Sequence, residues 1–316
     1  MVLNKQPLFY SIPYVFIFVY VMKNFFGLLI IMTGLITGCE KSISFTPNNA
    51  TPSLVVEATI ENGEPPLVIL TSSLNYFSKI TPEALAGSFV RNAEVYISNG
   101  VKTHRLKEYE VSVGGGLSVF YYSIDSSNLG TSFEGQFATD YTLRIISDGK
   151  DYEAKTRLPA LAKKIDSLWW KNAPNKEDSN RAVLMVKTTD PPGLGNYIRY
   201  FTKVDDGAFY PGLNSVFDDQ IIDGKSYSIQ VDRGVDRNAE FDFDEYAFFD
   251  KGDTVTLKLT NIDKATYDFW RTMEYSYSSI GNPFSSPTKV LGNISGGALG
   301  YFGGYAADYR TIVIPK

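Results

Sequence analysis

The sequence predicts an all-β protein that has two β-sandwich-like domains and one helix near its C-terminus. Short runs of alternating apolar and polar residues recur from Leu54 onward, and turn-forming residues such as Asn-Gly and Asp-Gly separate them. Only one segment has the three-to-four-residue apolar spacing of a long helix. No stretch repeats at the period of a solenoid or a propeller. These observations together favour sandwich-like packing of short strands.

The first domain is expected over residues 53–159. Its opening strand, Leu54–Ile60, ends at the turn Glu61-Asn62-Gly63. Further strands are expected at residues 67–70, 93–97, 118–122, 140–146 and 151–154. The Asp148-Gly149 pair predicts a hairpin between the last two of these strands. The domain is expected to end at Leu158-Pro159, where an extended linker begins.

The second, β-rich domain is expected over residues 160–316. Its strands are expected at residues 164–170, 181–186, 196–204, 227–231, 254–259 and 311–314. Val255, Leu257 and Leu259 alternate with polar residues, so they should share one buried face.

One helix is expected from Lys264 to about Ser279, with Asp263 as its N-cap. An aromatic stripe runs along it at spacings of three and four, through Tyr267, Trp270, Met273 and Tyr277. We interpret this stripe as packing against a sheet. The alternative is a ligand-binding face.

Residues 1–38 have the features of a signal peptide. Lys23 supplies the positive charge, and Phe25 to Ile36 form an apolar stretch of about a dozen residues, within the range of such signals. Ile36-Thr37-Gly38-Cys39 then matches a lipobox, in which the cysteine receives a lipid. We therefore expect lipidation at Cys39 and a polar, proline-containing tether over residues 39–52.

Residues 1–21 exceed what a signal peptide requires. We interpret them as an extension upstream of a natural start at Met22. The alternative is a membrane hairpin with one span from Leu8 to Val21, although fourteen residues are few for a span.

Composition excludes several classes of function. The net charge of −5 argues against nucleic acid, which is bound through Lys and Arg side chains that neutralise phosphates. The single Cys and the single His exclude an intrachain disulfide and a Cys/His zinc site. The histidine, His104, is expected in an exposed polar strand or turn with a structural role. We expect no catalytic residue, metal or cofactor.

An acidic segment, Phe241-Asp242-Phe243-Asp244, places Asp242 and Asp244 on one side of an extended chain. Paired carboxylates of this kind bind Ca²⁺ or act as acid and base in glycoside cleavage. We interpret them instead as the solvated face of a half-exposed strand.

A glycine-rich segment at residues 281–304 combines seven glycines with aromatic residues. One interpretation is a candidate binding surface, because glycine lets a partner approach the backbone closely. Its members are Asn282, Pro283, Phe284, Tyr301 and Phe302. We favour the other interpretation, a long loop that folds over a sheet edge before a final strand at residues 311–314.

The order of these segments resembles an outer-membrane lipoprotein family of Bacteroidota. That family is catalogued only as a domain of unknown function, and it is often encoded beside TonB-dependent transporters. The resemblance covers nearly all of the chain after the signal peptide. It is carried by Cys39, Leu54-Val55-Val56-Glu57, Gly135-Gln136, Tyr141–Ile145, Gly149–Thr156, Leu158-Pro159, Ile165-Asp166, Gly281–Phe284, Gly292–Gly297 and Leu299–Phe302.

The resemblance implies location and partners, and it implies no chemistry. We therefore expect a non-enzymatic accessory lipoprotein, lipid-anchored in the outer membrane on its periplasmic or surface face. Its expected partner is a TonB-dependent transporter, with which it captures substrate or forms a complex. One alternative is a glycan-binding or glycan-cleaving surface lipoprotein, favoured by the 21 Tyr and 21 Phe residues. The other is a structural subunit of an outer-membrane assembly or secretion complex.

Overall fold

The computed structural model describes residues 51–74, 81–174, 180–240, 242–280, 282, 284–286 and 288–316. Its strands are β1 Leu54–Glu61, β2 Leu67–Ser72, β3 Glu94–Ser98, β4 Thr103–Arg105, β5 Lys107–Gly114, β6 Leu117–Ser123, β7 Thr139–Ser147, β8 Lys150–Leu158, β9 Ile165–Asn172, β10 Arg181–Thr189, β11 Tyr197–Val204, β12 Tyr210–Phe217, β13 Ser226–Val231, β14 Phe249–Asp250, β15 Thr254–Ile262 and β16 Leu299–Val313. Its helices are α1 Pro82–Ala86 and α2 Lys264–Ser279, with a 3₁₀ turn at Leu129–Thr131. The predicted all-β class with one helix near the C-terminus is confirmed.

An eight-stranded sheet, here called the central sheet, runs through the whole fold. Its strand order is β12-β11-β15-β16-β1-β2-β6-β5. Strands β1 and β16 pair in parallel, and the other neighbouring strands of this sheet pair antiparallel. The first strand and the last strand of the chain therefore lie side by side at the centre of the sheet.

Two four-stranded sheets pack against the same face of the central sheet. The N-terminal sheet has the order β4-β3-β7-β8, and the C-terminal sheet consists of β13-β10-β14 with β9 paired to β10. One apolar core contains β1, β2 and β16 residues together with β3, β7 and β8 residues, and a second contains β11 and β15 residues together with β10 residues. The predicted face of Val255, Leu257 and Leu259 lies in this second core. The sandwich-like packing is thus confirmed.

The domain boundary expected between residues 159 and 160 falls where the chain leaves the N-terminal sheet for the C-terminal sheet. Strand β8 ends at Leu158 in the first of these, and β9 begins at Ile165 in the second. The central sheet takes strands from both sides of this boundary. Two sandwiches therefore share one continuous sheet.

Strand β16 corrects the expectation of a loop before a short final strand. It extends for 15 residues from Leu299 and occupies the centre of the sheet. Glycine is required there because a Cβ at Gly300 would lie 1.9 Å from the Val56 carbonyl oxygen, and one at Gly304 would lie 2.7 Å from the Arg157 carbonyl oxygen. The glycines let neighbouring backbone approach closely and do not mark a loop.

Helix α2 lies on the face of the central sheet opposite the two sandwich cores. Its bounds, Lys264–Ser279, and its N-cap, Asp263, are as predicted, and the Asp263 carboxylate accepts a hydrogen bond from the Thr266 amide. The same carboxylate accepts hydrogen bonds from Thr156 Oγ1 at 2.9 Å and from the Arg157 amide at 3.0 Å. Asp263 therefore both caps the helix and ties it to β8.

The aromatic stripe of α2 packs against the sheet as predicted at one end and is exposed to solvent at the other. Tyr267, Trp270 and Met273 belong to a cluster with Tyr301 and Tyr305 of β16, whereas Tyr277 is exposed. Within the described part of the chain, no helix has both the length and the apolar character needed to cross a membrane.

His104 is fully buried, which corrects the expectation of an exposed position. Its ring nitrogens lie 2.9 Å from Thr131 Oγ1 and 3.0 Å from the Asp125 amide nitrogen. Because the Asp125 amide can only donate, Nε2 accepts and Nδ1 carries the proton that is donated to Thr131. The ring therefore holds the loop that contains the 3₁₀ turn, in line with the structural role expected for it.

The segment around Asp242 forms a turn, so the expected half-exposed strand is wrong. Asp242 and Asp244 are both exposed. The Asp242 carboxylate accepts a hydrogen bond from the Asp244 amide at 2.9 Å, and Phe243 is exposed as well. An aspartate that bonds the backbone two residues ahead favours a turn over a strand, and this local bond overrides the alternating pattern.

Candidate functional site

A solvent-accessible face is formed where the outer side of the central sheet meets helix α2. Along β1 the residues Val56, Ala58 and Ile60 point into the sandwich core, so Glu57 and Thr59 point to the helix side. In β16, which pairs with β1 so that Glu57 lies opposite Tyr301, the same alternation turns Tyr301 and Tyr305 toward α2.

Two neighbouring cavities lie along α2. The first has a volume of about 490 Å³ and contains both charged and aromatic residues in its wall, among them Glu57, Arg199, Trp270, Glu274 and Tyr305. The second has a volume of about 710 Å³ and reaches the segment from Lys289 to Tyr301. Because Glu57, Trp270 and Tyr301 belong to both walls, we call the two together the α2 cavity.

Arg199 of β11 forms the centre of a polar network in the wall of the α2 cavity. The residue is buried, with only 4% of its surface exposed. Nε donates to Ser215 Oγ at 3.0 Å and Nη1 donates to the Tyr305 hydroxyl at 3.4 Å. The guanidinium carbon lies 3.4 Å from the centre of the Trp270 ring. Stacking on the indole stabilises the buried charge and orients it toward the cavity.

Glu274 of α2 links the helix to the edge of the central sheet. Its carboxylate accepts hydrogen bonds from the Ser215 amide at 3.0 Å and from the Ser215 hydroxyl at 2.5 Å. Burial raises the pKa of this carboxyl, while the Ser215 hydrogen bonds and the charge of Arg199 oppose the rise. Ser215 thus bridges Glu274 and Arg199, and its two bonds hold the network together.

Glu57 differs from Glu274 because no hydrogen bond from a described residue reaches its carboxylate. The residue is exposed, and its side chain lies in the wall of the cavity. Burial raises the pKa of the Glu57 carboxyl, and the positive charge of Arg199 only partly offsets this effect. A carboxyl group that has a raised pKa and is open to a cavity is typical of a binding or active site.

Aromatic side chains form the remaining wall. Trp270 Nε1 donates to the Tyr305 hydroxyl at 3.0 Å, and that hydroxyl lies 3.2 Å from the hydroxyl of Tyr301. The Tyr301 ring stacks on Phe269 with centroids 4.4 Å apart. Burial raises the pKa of Tyr301 well above its ordinary value, so it is a neutral hydroxyl donor. The cavity therefore offers donors, acceptors and flat apolar rings within one wall.

The structure separates the residues of the predicted binding surface. Phe284 is 95% exposed and Asn282 is exposed. Tyr301 is buried and lines the α2 cavity, whereas Phe302 is 0% exposed and lies in the sandwich core on the opposite face. Consecutive residues of a strand point to opposite faces, so Tyr301 and Phe302 do not share a surface. Pro283 and Cys39 lie outside the described residues.

Sequence reasoning alone did not select Glu57, Arg199 or Glu274 as site residues. Two of them carried a signal: Glu57 is a charge within the apolar strand Leu54–Glu61, and Arg199 lies within the aromatic strand Tyr197–Val204. An isolated charge in such a strand is expensive to bury unless it has a partner or a function. Glu57, Arg199 and Glu274 lie in one cavity wall because of the order of the strands, which the pattern of residues does not specify.

A comparison with curated proteins finds none that matches this chain. A family model described as a domain of unknown function (DUF4249) matches residues 40–311, most of the chain, and the chain therefore belongs to this family.

Proposed function

We propose that this protein is a non-enzymatic outer-membrane accessory lipoprotein that captures a small polar molecule in the α2 cavity for a TonB-dependent transporter. The observation that carries the proposal is the open cavity, whose wall contains the unbonded Glu57 carboxylate, buried Arg199 and several aromatic rings. A cavity whose wall combines flat apolar rings with charged groups is suited to a small polar molecule.

The proposed location rests on Cys39 and on the resemblance. The lipobox at Ile36–Cys39 supports a lipid anchor, and the polar tether that follows supports a folded body held near the membrane. The TonB-dependent transporter as partner comes from the resemblance alone.

Ligand capture is tested with the full chain purified from its native host, because a captured molecule should co-purify. Small molecules released on denaturation are identified by mass spectrometry for the wild type and for the double variant Glu57→Gln, Trp270→Ala. We expect at least one compound that is present with the wild type and lost in the variant. A control variant, Glu110→Gln on the exposed strand β5, should retain it. Identical compounds from all three proteins would contradict capture in this cavity.

The partner is tested by a crosslinked pull-down through a tag at the C-terminus, after Lys316. We expect a TonB-dependent transporter among the recovered proteins. Recovery of a different large β-barrel would favour the alternative of a structural subunit in an assembly or secretion complex. Recovery of no membrane partner would contradict both of these proposals.

A glycan is the second candidate ligand, because Trp270 and Tyr277 of α2 both line the cavity and present flat rings of the kind that pack against sugar rings. A glycan array probed with the tagged protein separates this case from other polar ligands. Binding that is lost in Trp270→Ala would favour a glycan-binding surface lipoprotein. An array without binding would leave capture of another small polar molecule as the proposal.

A further inference from the structure

Three carboxylates converge at one end of the C-terminal sandwich, and none of them lines the α2 cavity. Asp190 directly follows β10, and Asp219 and Asp223 lie in the loop that follows β12. One carboxylate oxygen of each residue lies within 4.8 Å of the others. Two oxygens bound to one Ca²⁺ at its usual distance of about 2.3–2.6 Å are separated by at most about 5 Å. The spacing is therefore short enough for one shared cation.

One carboxylate oxygen of Asp190 lacks a hydrogen-bond partner. The residue is only 1% exposed, and its Oδ1 accepts a hydrogen bond from Lys163 Nζ at 2.9 Å. Its other oxygen, Oδ2, is buried and has no hydrogen-bond partner among the described residues. A buried carboxylate oxygen left without a partner costs on the order of 1–3 kcal/mol or more, so native proteins rarely contain one.

The hydrogen bonds of Asp219 favour its charged form. The residue is only 2% exposed. Its Oδ1 accepts a hydrogen bond from the Gly195 amide at 3.1 Å, and its Oδ2 accepts from the Asn196 amide at 2.9 Å and from Asn196 Nδ2 at 3.0 Å. Its negative charge is thus held in place next to that of Asp190.

The charge balance of the cluster is negative. Three carboxylates meet there, and Lys163 is the cation that the described structure places against them, through Asp190. Like charges at this spacing repel strongly in a buried setting. One divalent cation would balance the charge that Lys163 leaves unbalanced.

We propose that Asp190, Asp219 and Asp223 form a calcium site. Ca²⁺ prefers carboxylate and carbonyl oxygens and tolerates irregular arrangements, whereas Mg²⁺ demands near-ideal octahedral geometry. The ligands here come from two separate loops, and one of them, Asp223, is exposed. Backbone carbonyls and water supply the further oxygens that Ca²⁺ requires. Affinity in the range of extracellular calcium modules, about 10⁻⁴–10⁻³ M, is expected.

The ion would also order the wall of an apolar cavity. Asp218, Ile221 and Ile222 belong to the same loop as Asp219 and Asp223, and they line a cavity of about 410 Å³ inside the C-terminal sandwich. Calcium held by this loop is therefore expected to limit its opening, which predicts slower amide hydrogen exchange over residues 218–225 when calcium is bound.

The experiment uses the full chain, stripped of metal with a chelator and titrated with CaCl₂ by calorimetry. We expect one bound Ca²⁺ and an increase in Tm, because an ion that binds only the folded state stabilises it. Asp223→Asn is the informative variant, since Asp223 is exposed and its loss leaves the Lys163–Asp190 pair intact. It should weaken calcium binding at least tenfold. The matched control is Asp206→Asn, an exposed aspartate in the turn after β11, which should bind as the wild type does.

Several outcomes would overturn the proposal. Absence of calcium binding at millimolar concentration is one, and equal affinity of the wild type and Asp223→Asn is another. Calcium binding without slower exchange over residues 218–225 would place the ion elsewhere. Tighter binding of MgCl₂ than of CaCl₂ would contradict the choice of ion. Asp190→Asn is not used, because it would remove the negative charge that pairs with buried Lys163 and risk unfolding.

Discussion

Glu57 and Glu274 lie in one cavity wall, yet the structure treats their carboxylates differently. Glu274 has the Ser215 hydroxyl and amide as donors, whereas no described donor reaches Glu57. Burial raises the pKa of both. The hydrogen bonds to Glu274 have a structural role, because they attach α2 to the sheet. Glu57 has no comparable structural role, which favours a role toward a ligand.

Replacement of Glu57 by Gln is therefore expected to stabilise the fold at neutral pH. The folded-state pKa of Glu57 is raised above its ordinary value of 4.5, so the ionised side chain destabilises the fold wherever it is charged. The gain in the free energy of unfolding should be present at pH 7 and disappear as the pH falls below 4.5, where the wild-type side chain becomes protonated in both states. Urea unfolding at several pH values measures it.

The exposed strand residue Glu110 supplies the control for this measurement, because Glu110→Gln removes a charge without relieving burial. Equal stability gains for both variants would show that net charge, and not the position of Glu57, is responsible.

His104 predicts a pH dependence at the acidic side of neutrality. Burial lowers the pKa of this ring below its ordinary value of 6.5, against the opposing charge of Asp125. The neutral ring is thus favoured in the fold, so its contribution to stability is complete above pH 6.5 and is lost as the pH falls through the lowered value. His104→Asn retains a donor for Thr131 but leaves the Asp125 amide without an acceptor. We expect a loss of about 1–3 kcal/mol at pH 7.

The same unfolding series, measured between pH 5 and pH 7.5, tests the titration of His104. As the pH falls over this range, the free energy of unfolding of the wild type should decrease, and that of His104→Asn should decrease less. A slope that is unchanged in the variant would assign the pH dependence to other groups.

At the scale of elements, strand β16 decides how the two halves of the protein are joined. It pairs with β15 on one side and with β1 on the other, so it connects strands of the second half to strands of the first. The close contacts that this position creates require glycine at Gly300 and Gly304. Helix α2 illustrates the opposite case, because its bounds, cap and packing face follow from local pattern alone.

Gly300→Ala is expected to destabilise the protein by about 3 kcal/mol or more. The residue has φ +98°, and an added Cβ would lie 1.9 Å from the Val56 carbonyl oxygen, so both backbone strain and overlap oppose the change. Thermal unfolding followed by circular dichroism measures the loss. Gly130→Ala is the matched control, since an added Cβ there contacts nothing within 4 Å. Similar stability of the two variants would contradict the proposed close packing of β16 on β1.

At the scale of the whole molecule, the family match confirms the coarse part of the resemblance. The chain belongs to a family of unknown function over residues 40–311. The lipid anchor, the outer membrane and the transporter stay predictions. The match begins directly after Cys39, so the family model covers the part of the chain that the anchor is proposed to hold at the membrane.

Cys39→Ser is expected to abolish lipid attachment, because serine has no thiol to receive the lipid. Metabolic labelling with a radioactive fatty acid should label the wild type and leave the variant unlabelled, and the variant should leave the membrane fraction. Mass spectrometry should find Cys39 as the first residue of the mature wild-type chain. An intact N-terminal peptide with an unmodified Cys39 would refute the lipoprotein proposal.

By itself, the sequence determined the all-β class, most strand positions, helix α2 with its cap, and the Asp148-Gly149 hairpin between β7 and β8. These features depend on side chains a few residues apart, so the local spacing of residue types predicts them. Only the tertiary structure decided the shared central sheet, the burial of His104, the placement of Glu57 and Arg199 in one cavity wall, and the convergence of Asp190 with Asp219. Each joins residues that are distant in the chain, and strand order and register, which bring them together, arise from the packing of the whole molecule.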